Sequence, residues 1–311
     1  IKNGTLESRT TTTTLGSGTA TMGGAGSTGA TYLTGQSNSN RFVINAPDSG
    51  NIVIGANGAG SGFTMSGGVT LNGNLTLQTN ENVITGSTKA SSILTGGVTG
   101  TGNLLLNNLG LAANVITISG TSVNHSGSLT LQGTATGTTT ISAPIGSNVT
   151  GITQSSTTSR LVLSGSNAYS GTTTISAGTL RLGAANVIPD GSGKGNVAVT
   201  GTFDLNGFSE TVNGLTGSGI VDNTAISTSG TLTVTTSSVF NGVLRNSGAA
   251  LALVKAGNSD FTLNGSNTYG GGTTINAGRL FIANPGSLTP NGAVQINNGG
   301  GLHLNVSGTP T

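Results

Sequence analysis

The chain has 311 residues, a net charge of +2, no cysteine, and only 3% aromatic and 6% charged residues, against about 25% charged in an average globular domain. That composition excludes an ordinary closed globule, and the missing thiols exclude disulfides and thiolate metal sites. Ten basic against eight acidic residues leave no basic patch for nucleic acid or anionic lipid. The 55 glycines, set among many Thr, Ser and Asn, would read as low complexity. Low net charge, a mean hydropathy of +0.10 and abundant β-branched residues instead favour an ordered repeat built from strands.

Residues 1–40 are the least regular part, with the run Thr10 to Thr14 followed by the Gly/Ser/Ala-rich stretch Gly16 to Gly29. Two expectations compete there: a flexible leader, or the first coils and an assembly segment. The chain starts at Ile1 with no charged-then-apolar leader, so it is expected to be a mature or trimmed product. From residue 41 onward apolar triplets recur, many with a polar middle residue. They include Phe42-Val43-Ile44, Ile52-Val53-Ile54, Phe63-Thr64-Met65, Leu75-Thr76-Leu77, Leu104-Leu105-Leu106, Ile116-Thr117-Ile118 and Leu129-Thr130-Leu131. Later come Val197-Ala198-Val199, Phe203-Asp204-Leu205, Leu232-Thr233-Val234, Leu251-Ala252-Leu253, Val294-Gln295-Ile296 and Leu302-His303-Leu304. Alternation with period two predicts short strands, and no segment sustains a 3.6-residue period. No apolar run approaches the ~18 to 20 residues of a membrane helix, so this segment is not expected to enter a bilayer.

The strongest signal is a repeat. Residues 161–183 read Leu-Val-Leu-Ser-Gly-Ser-Asn-Ala-Tyr-Ser-Gly-Thr-Thr-Thr-Ile-Ser-Ala-Gly-Thr-Leu-Arg-Leu-Gly, and residues 261–283 match them without a gap. Identical pairs include Gly165/Gly265, Asn167/Asn267, Tyr169/Tyr269, Ile175/Ile275 and Leu180/Leu280, and a partial echo lies at 129–143. Each unit holds three short strand candidates separated by small-residue corners. One unit cannot bury its apolar face, so copies must stack, each strand pairing with its equivalent in the next turn. The predicted fold is all-β, a right-handed parallel β-helix (β-solenoid) in one elongated domain. At about 20 to 25 residues per turn it would make roughly 12 to 15 turns, and at about 4.8 Å per turn reach on the order of 60 to 70 Å. Asn167, Tyr169, Asn267 and Tyr269 are the expected repeat-corner residues.

This pattern resembles the autotransporter-associated β-strand repeat of bacterial autotransporter passenger domains and related giant surface proteins. The resemblance is specific over 161–183 and 261–283 and rests on composition elsewhere. It implies a secreted β-solenoid displayed on or shed from a bacterial surface, and it brings no catalytic residues, because the repeat is a scaffold element. Nothing in the chain resembles the translocator barrel of that family.

Nine Asn-Gly pairs favour a rival, an antiparallel sandwich of hairpins. Asn264-Gly265 lies inside the repeat, however, and solenoid corners also need residues that tolerate the left-handed conformation. For chemistry, Asp204 and Asp222 would meet on adjacent turns if a coil takes about 18 to 20 residues, with an outward structural Asp204 as the plainer expectation. His125 and His303 are too few for a metal site without carboxylate partners, and His303 is expected on the solvent face. Gly191-Ser-Gly-Lys-Gly195 lacks the Ser or Thr and the helix of a phosphate loop. Tyr169 and Tyr269 would either pack over corners or stack on sugars.

The function expected is therefore non-enzymatic: an extracellular structural or adhesive β-solenoid of a bacterial surface, with no cofactor. Sparse charge at both ends points to self-association into a fibre or rod, with host or matrix glycans as further partners. The alternatives are a polysaccharide-acting enzyme on a β-helix scaffold and a glycan- or ice-binding module.

Overall fold

The computed structural model describes residues 1–8, 15, 18–34, 37–56, 62–79, 91–110, 114–283 and 292–304. Among them the regular structure is entirely β, and every strand pairing is parallel. The chain forms two compact units, Ile1–Ser170 and Gly171–Thr311. Each is a parallel β-solenoid with three sheets, of seven, five and four described strands.

In the first unit the register stacks Leu75, Leu104, Leu129 and Ile152 in one inward column and Leu77, Leu106 and Leu131 in the next. All seven are at most 2% exposed, and full burial of such a side chain stabilises by about 1.5–3 kcal/mol. The outward column on the same sheet runs Thr31, Val53, Thr76, Leu105, Thr130, Thr153. Mostly β-branched, these side chains are stiff and suit a pleated, half-covered surface. The second unit repeats the pattern: Leu232, Leu253 and Thr273 stack inward, with Thr233, Val254 and Thr274 outward.

Parallel pairing removes the hairpin rival. Asn206 and Gly207 do take the left-handed conformation (φ 49° and 82°), but they turn a corner. The Asn206 amide donates to Leu182 O one coil back, at 3.1 Å, and its backbone N–H donates to Asp204 Oδ1 at 3.0 Å. Coil length varies more than expected: a short coil sets Thr202 against Ile220, whereas a much longer one sets Leu75 against Leu104. Three strands, Asn3–Ser8, Ala20–Met22 and Gly29–Thr34, fall within residues 1–40 and join the sheets of the first unit. Gly-Ala-Thr-Tyr-Leu-Thr carries little alternation, yet Tyr32 is buried against Phe42, with ring centroids 5.8 Å apart. Thr10 to Thr14 lie outside the described residues.

One expectation about the repeat is corrected. In the copy at 261–283 the first strand, Asp260–Leu263, pairs directly with the third, Gly278–Ile282, placing Phe261 beside Leu280 and Leu263 beside Ile282. A single copy is thus one full turn plus its return, and its end strands stack on each other. The middle strand, Thr273–Ile275, belongs to another sheet. The shared glycine is explained by the same closeness: a Cβ at Gly265 would collide with the Gly242 carbonyl, and one at Gly165 with the Ala143 carbonyl. Gly265→Ala is expected to cost about 1–2 kcal/mol by urea denaturation, and an alanine variant as stable as the parent would disprove this packing argument.

Candidate functional site

Of the four repeat-corner residues, the two asparagines make equivalent contacts. Asn167 Oδ1 accepts from Ile145 N at 2.9 Å while Ala168 N donates to Ile145 O. Asn267 Oδ1 accepts from Leu244 N at 2.8 Å while Thr268 N donates to Leu244 O. Each asparagine and its successor thus clamp one residue of the preceding coil from both sides, satisfying buried backbone groups that a corner would otherwise strand. Tyr169 and Tyr269 are 0% and 4% exposed, so neither ring is open to stack on a sugar. The Tyr269 and Thr273 hydroxyls lie 2.7 Å apart, and burial raises the phenol pKa against the opposing pull of that bond.

Asp204 and Asp222 are brought together as register partners on adjacent strands. Asp204 shares its position on the strand with the outward Arg181, but it is covered there: both aspartates are 1% exposed, because corner loops and arginines from neighbouring coils close over them. Arg181, the register partner of Asp204, donates from Nε to Asp204 Oδ2 at 2.6 Å. Arg245 Nε donates to Asp222 Oδ2 at 2.8 Å. Thr224 Oγ1 donates to Asp204 Oδ2, and the Ser247 N–H and hydroxyl donate to the two Asp222 oxygens, each at 2.8 Å. The result is a four-coil ladder, Arg-Asp-Asp-Arg, with both oxygens of each carboxylate hydrogen-bonded. Burial would raise the Asp222 pKa, but the Ser247 donors and Arg245 outweigh it and hold the carboxyl below its usual range.

Sequence reasoning did not pick out two other buried charges. Glu210 is 1% exposed, and its Oε2 accepts from Val187 N at 2.9 Å. Burial, aided by the negative charge of Asp190, pushes its pKa up to about 8 despite the N–H donors of Val187, Ile188 and Thr211. It pins the excursion that contains Gly191 to Gly195. Within that excursion Lys194 N donates to Gly191 O at 3.2 Å, a local turn with no helix behind it. Lys255 is fully buried, its ammonium donating to the carbonyls of Ala256, Gly257 and Ala277, and burial lowers its pKa against the attraction of Asp260. The overlooked signal is spacing: Arg181 to Asp204 and Asp222 to Arg245 are the same distance apart along the chain, one coil in each case.

His125 is buried with Nε2 3.2 Å from Ser128 O, and burial keeps its pKa below the usual imidazole value. His303 is exposed and stacks on Phe281 at 4.7 Å, with the Arg279 guanidinium 5.1 Å from the same phenyl ring. Arg279 makes a two-pronged pair with Asp260, at 2.9 and 2.6 Å. No three His, Asp or Glu side chains converge to hold a metal among the described residues. Glu81 and the Glu7 side chain lie outside what is described.

Parallel coils and clamped repeat corners make up a β-solenoid, and comparison with known proteins agrees. Residues 158–182 and 253–280 match the Passenger-associated-transport-repeat family, so the chain is a passenger-like β-solenoid bearing the autotransporter-associated repeat. The echo at 129–143 falls outside both matches. A particular relative is the Adhesin BmaC autotransporter of Brucella suis biovar 1 (strain 1330), 32% identical over 227 residues. The aligned stretch is 67% of this chain but 6% of that protein, so the chain spans a small fraction of its relative's length. No solved structure matches the chain.

Proposed function

We propose that this chain is part of an extracellular bacterial surface passenger that acts by shape and adhesion, with glycans of a host or matrix as its target. The observation that carries the reading is a passenger repeat set in a stack of parallel coils, with the outward column Thr31, Val53, Thr76, Leu105, Thr130, Thr153 of the first unit hydroxyl-rich and uncharged. Likeness to a relative named as an adhesin supports it. The enzymatic alternative fares worse. Glycoside hydrolysis needs a protonated acid beside a second carboxylate, whereas the Asp204–Asp222 pair is ion-paired at both ends and Asp222 is held ionised. Glu210 keeps its proton but is buried beneath Val187 and Ile188, which are 1% and 2% exposed.

A second copy of the chain is the further partner we propose. Val294, Ile296 and Leu304 continue the columns of Thr273, Ile275 and Ile282, yet they are 41%, 50% and 53% exposed. A further coil, from a continuation of the chain or from a second copy, would cover them. Beads coated with the purified chain should adhere to epithelial cells and extracellular matrix well above albumin-coated beads. Sedimentation velocity should show mass rising with concentration. Adhesion at the albumin level rejects the adhesive reading, and a strictly monomeric boundary at high concentration rejects the self-association.

A further inference from the structure

The four-stranded sheet of the first unit carries a groove of about 230 Å³ whose lining includes Arg41, Thr70, Gly97, Thr99, Thr121 and Ser122. Its floor is kept open by packing: a Cβ at Gly97 would press on Thr121 at 3.0 Å and on the Ser122 carbonyl at 2.9 Å. Thr70 and Thr99 are register partners on adjacent strands, so their side chains stand side by side. Arg41 is exposed, and its Nε and Nη2 donate to Thr70 Oγ1 at 3.3 and 2.8 Å. Among the described residues no carboxylate lies within ion-pair distance of it. This differs from Arg181, Arg245 and Arg279, each of which has an aspartate.

Two consequences follow from this bonding. Thr70 Oγ1 receives two N–H groups, so both its lone pairs are used and its own hydrogen is free to be donated onward. Arg41 keeps N–H groups that Thr70 does not occupy, and no carboxylate among the described residues neutralises them. The groove therefore offers one uncompensated cation in a planar, forked form suited to carboxylate, beside a shelf of hydroxyl donors and acceptors. It has no aromatic or large aliphatic wall for an apolar partner. One cation is also too few for a nucleic acid, whose binding rests on many phosphate contacts.

We propose that this groove binds a carboxylate-bearing sugar of an acidic polysaccharide, a uronate, with Arg41 on the carboxylate and Thr70, Thr99 and Ser122 on ring hydroxyls. The volume equals that of about seven or eight waters at ~30 Å³ each, room for one sugar ring. The biological use of the site rests on the adhesive reading above, although the binding itself does not.

The test is calorimetry of the full chain with three probes: a hyaluronan tetrasaccharide, the neutral chitotetraose, and inorganic phosphate. The tetrasaccharide should bind, and Arg41→Gln should weaken it about ten- to a hundredfold, the scale of a lost charge-assisted hydrogen bond. Thr99→Val should weaken it less. Because Arg41 is a surface residue, circular dichroism should be unchanged in the arginine variant. The proposal is overturned if the tetrasaccharide does not bind, if Arg41→Gln binds equally well, if chitotetraose binds as tightly, or if phosphate alone binds as tightly. Bead adhesion that survives Arg41→Gln would overturn the groove's role and leave the adhesive reading standing. Arginine-dependent sugar binding without adhesion would do the reverse.

Discussion

Glu210→Gln is expected to leave stability almost unchanged at pH 5 and to raise it by several kcal/mol at pH 9. The carboxyl titrates at 4.5 in an unperturbed environment and at about 8 in the folded chain. Between those values the folded state holds a proton that the unfolded state releases, so stability falls as pH rises. What Glu210 contributes in its neutral form is complete below pH 4.5 and is lost as pH rises through about 8. At about 1.4 kcal/mol per unit the full swing is on the order of 5 kcal/mol as an upper limit. Glutamine keeps an oxygen for Val187 N and cannot ionise. Urea denaturation of both proteins at pH 5, 7 and 9 decides it: converging curves at pH 5 and diverging ones at pH 9 support the assignment, and parallel curves throughout would falsify it.

Asp222→Ala is expected to cost about 3 kcal/mol at pH 7, toward the lower end for breaking a buried pair because Arg245 keeps contact with solvent. The substitution takes the acceptor from Arg245 Nε and from both Ser247 donors, and Ser247 N is a backbone group in a corner that has few other partners to offer. Here the sign is opposite to that of Glu210. A carboxyl whose pKa is depressed by folding stabilises above its unfolded value of 3.8 and loses that contribution as pH falls through its lower folded value. The variant should therefore show a shallower loss of stability in acid than the parent. A double-mutant cycle with Arg245→Ala isolates the pair, and a coupling energy near zero would show that Asp222 acts through Ser247 alone. The two carboxyl groups titrate in separate windows, so their effects can be read independently on one protein.

Most of the strands were legible in the residues. Triplets such as Phe42-Val43-Ile44 and Leu129-Thr130-Leu131 alternate in polarity because alternate side chains face the core, and all of these became strands. Ser91–Leu94 was not recognised, because its inward Ser92 is polar and is satisfied by donating to Gln78 O, a partner visible only once the coil closes. Asp204 misled for a related reason. Flanked by Phe203 and Leu205 it reads as the exposed member of an alternating strand, but its burial is imposed by Arg181 and Thr224 from neighbouring coils.

The sequence alone determined that the chain is built of short strands in repeated units that must stack, because one unit cannot bury its apolar face; it favoured parallel coils, and the parallel pairing itself was decided by the structure against the hairpin rival. It also carried the passenger-repeat resemblance, since that lies in the order of residues along one unit. Only the tertiary structure decided which coil lies on which. The coil from Leu75 to Leu104 is far longer than the one from Thr202 to Ile220, so no single spacing along the chain predicts register throughout, and register is what sets Asp204 beside Asp222 and Thr70 beside Thr99. The fates of Glu210, Lys255 and Arg41 were settled in the same way: each finds at least one partner about a coil away, Val187 N, Ala277 O and Thr70 Oγ1 respectively, and short-range pattern does not disclose it.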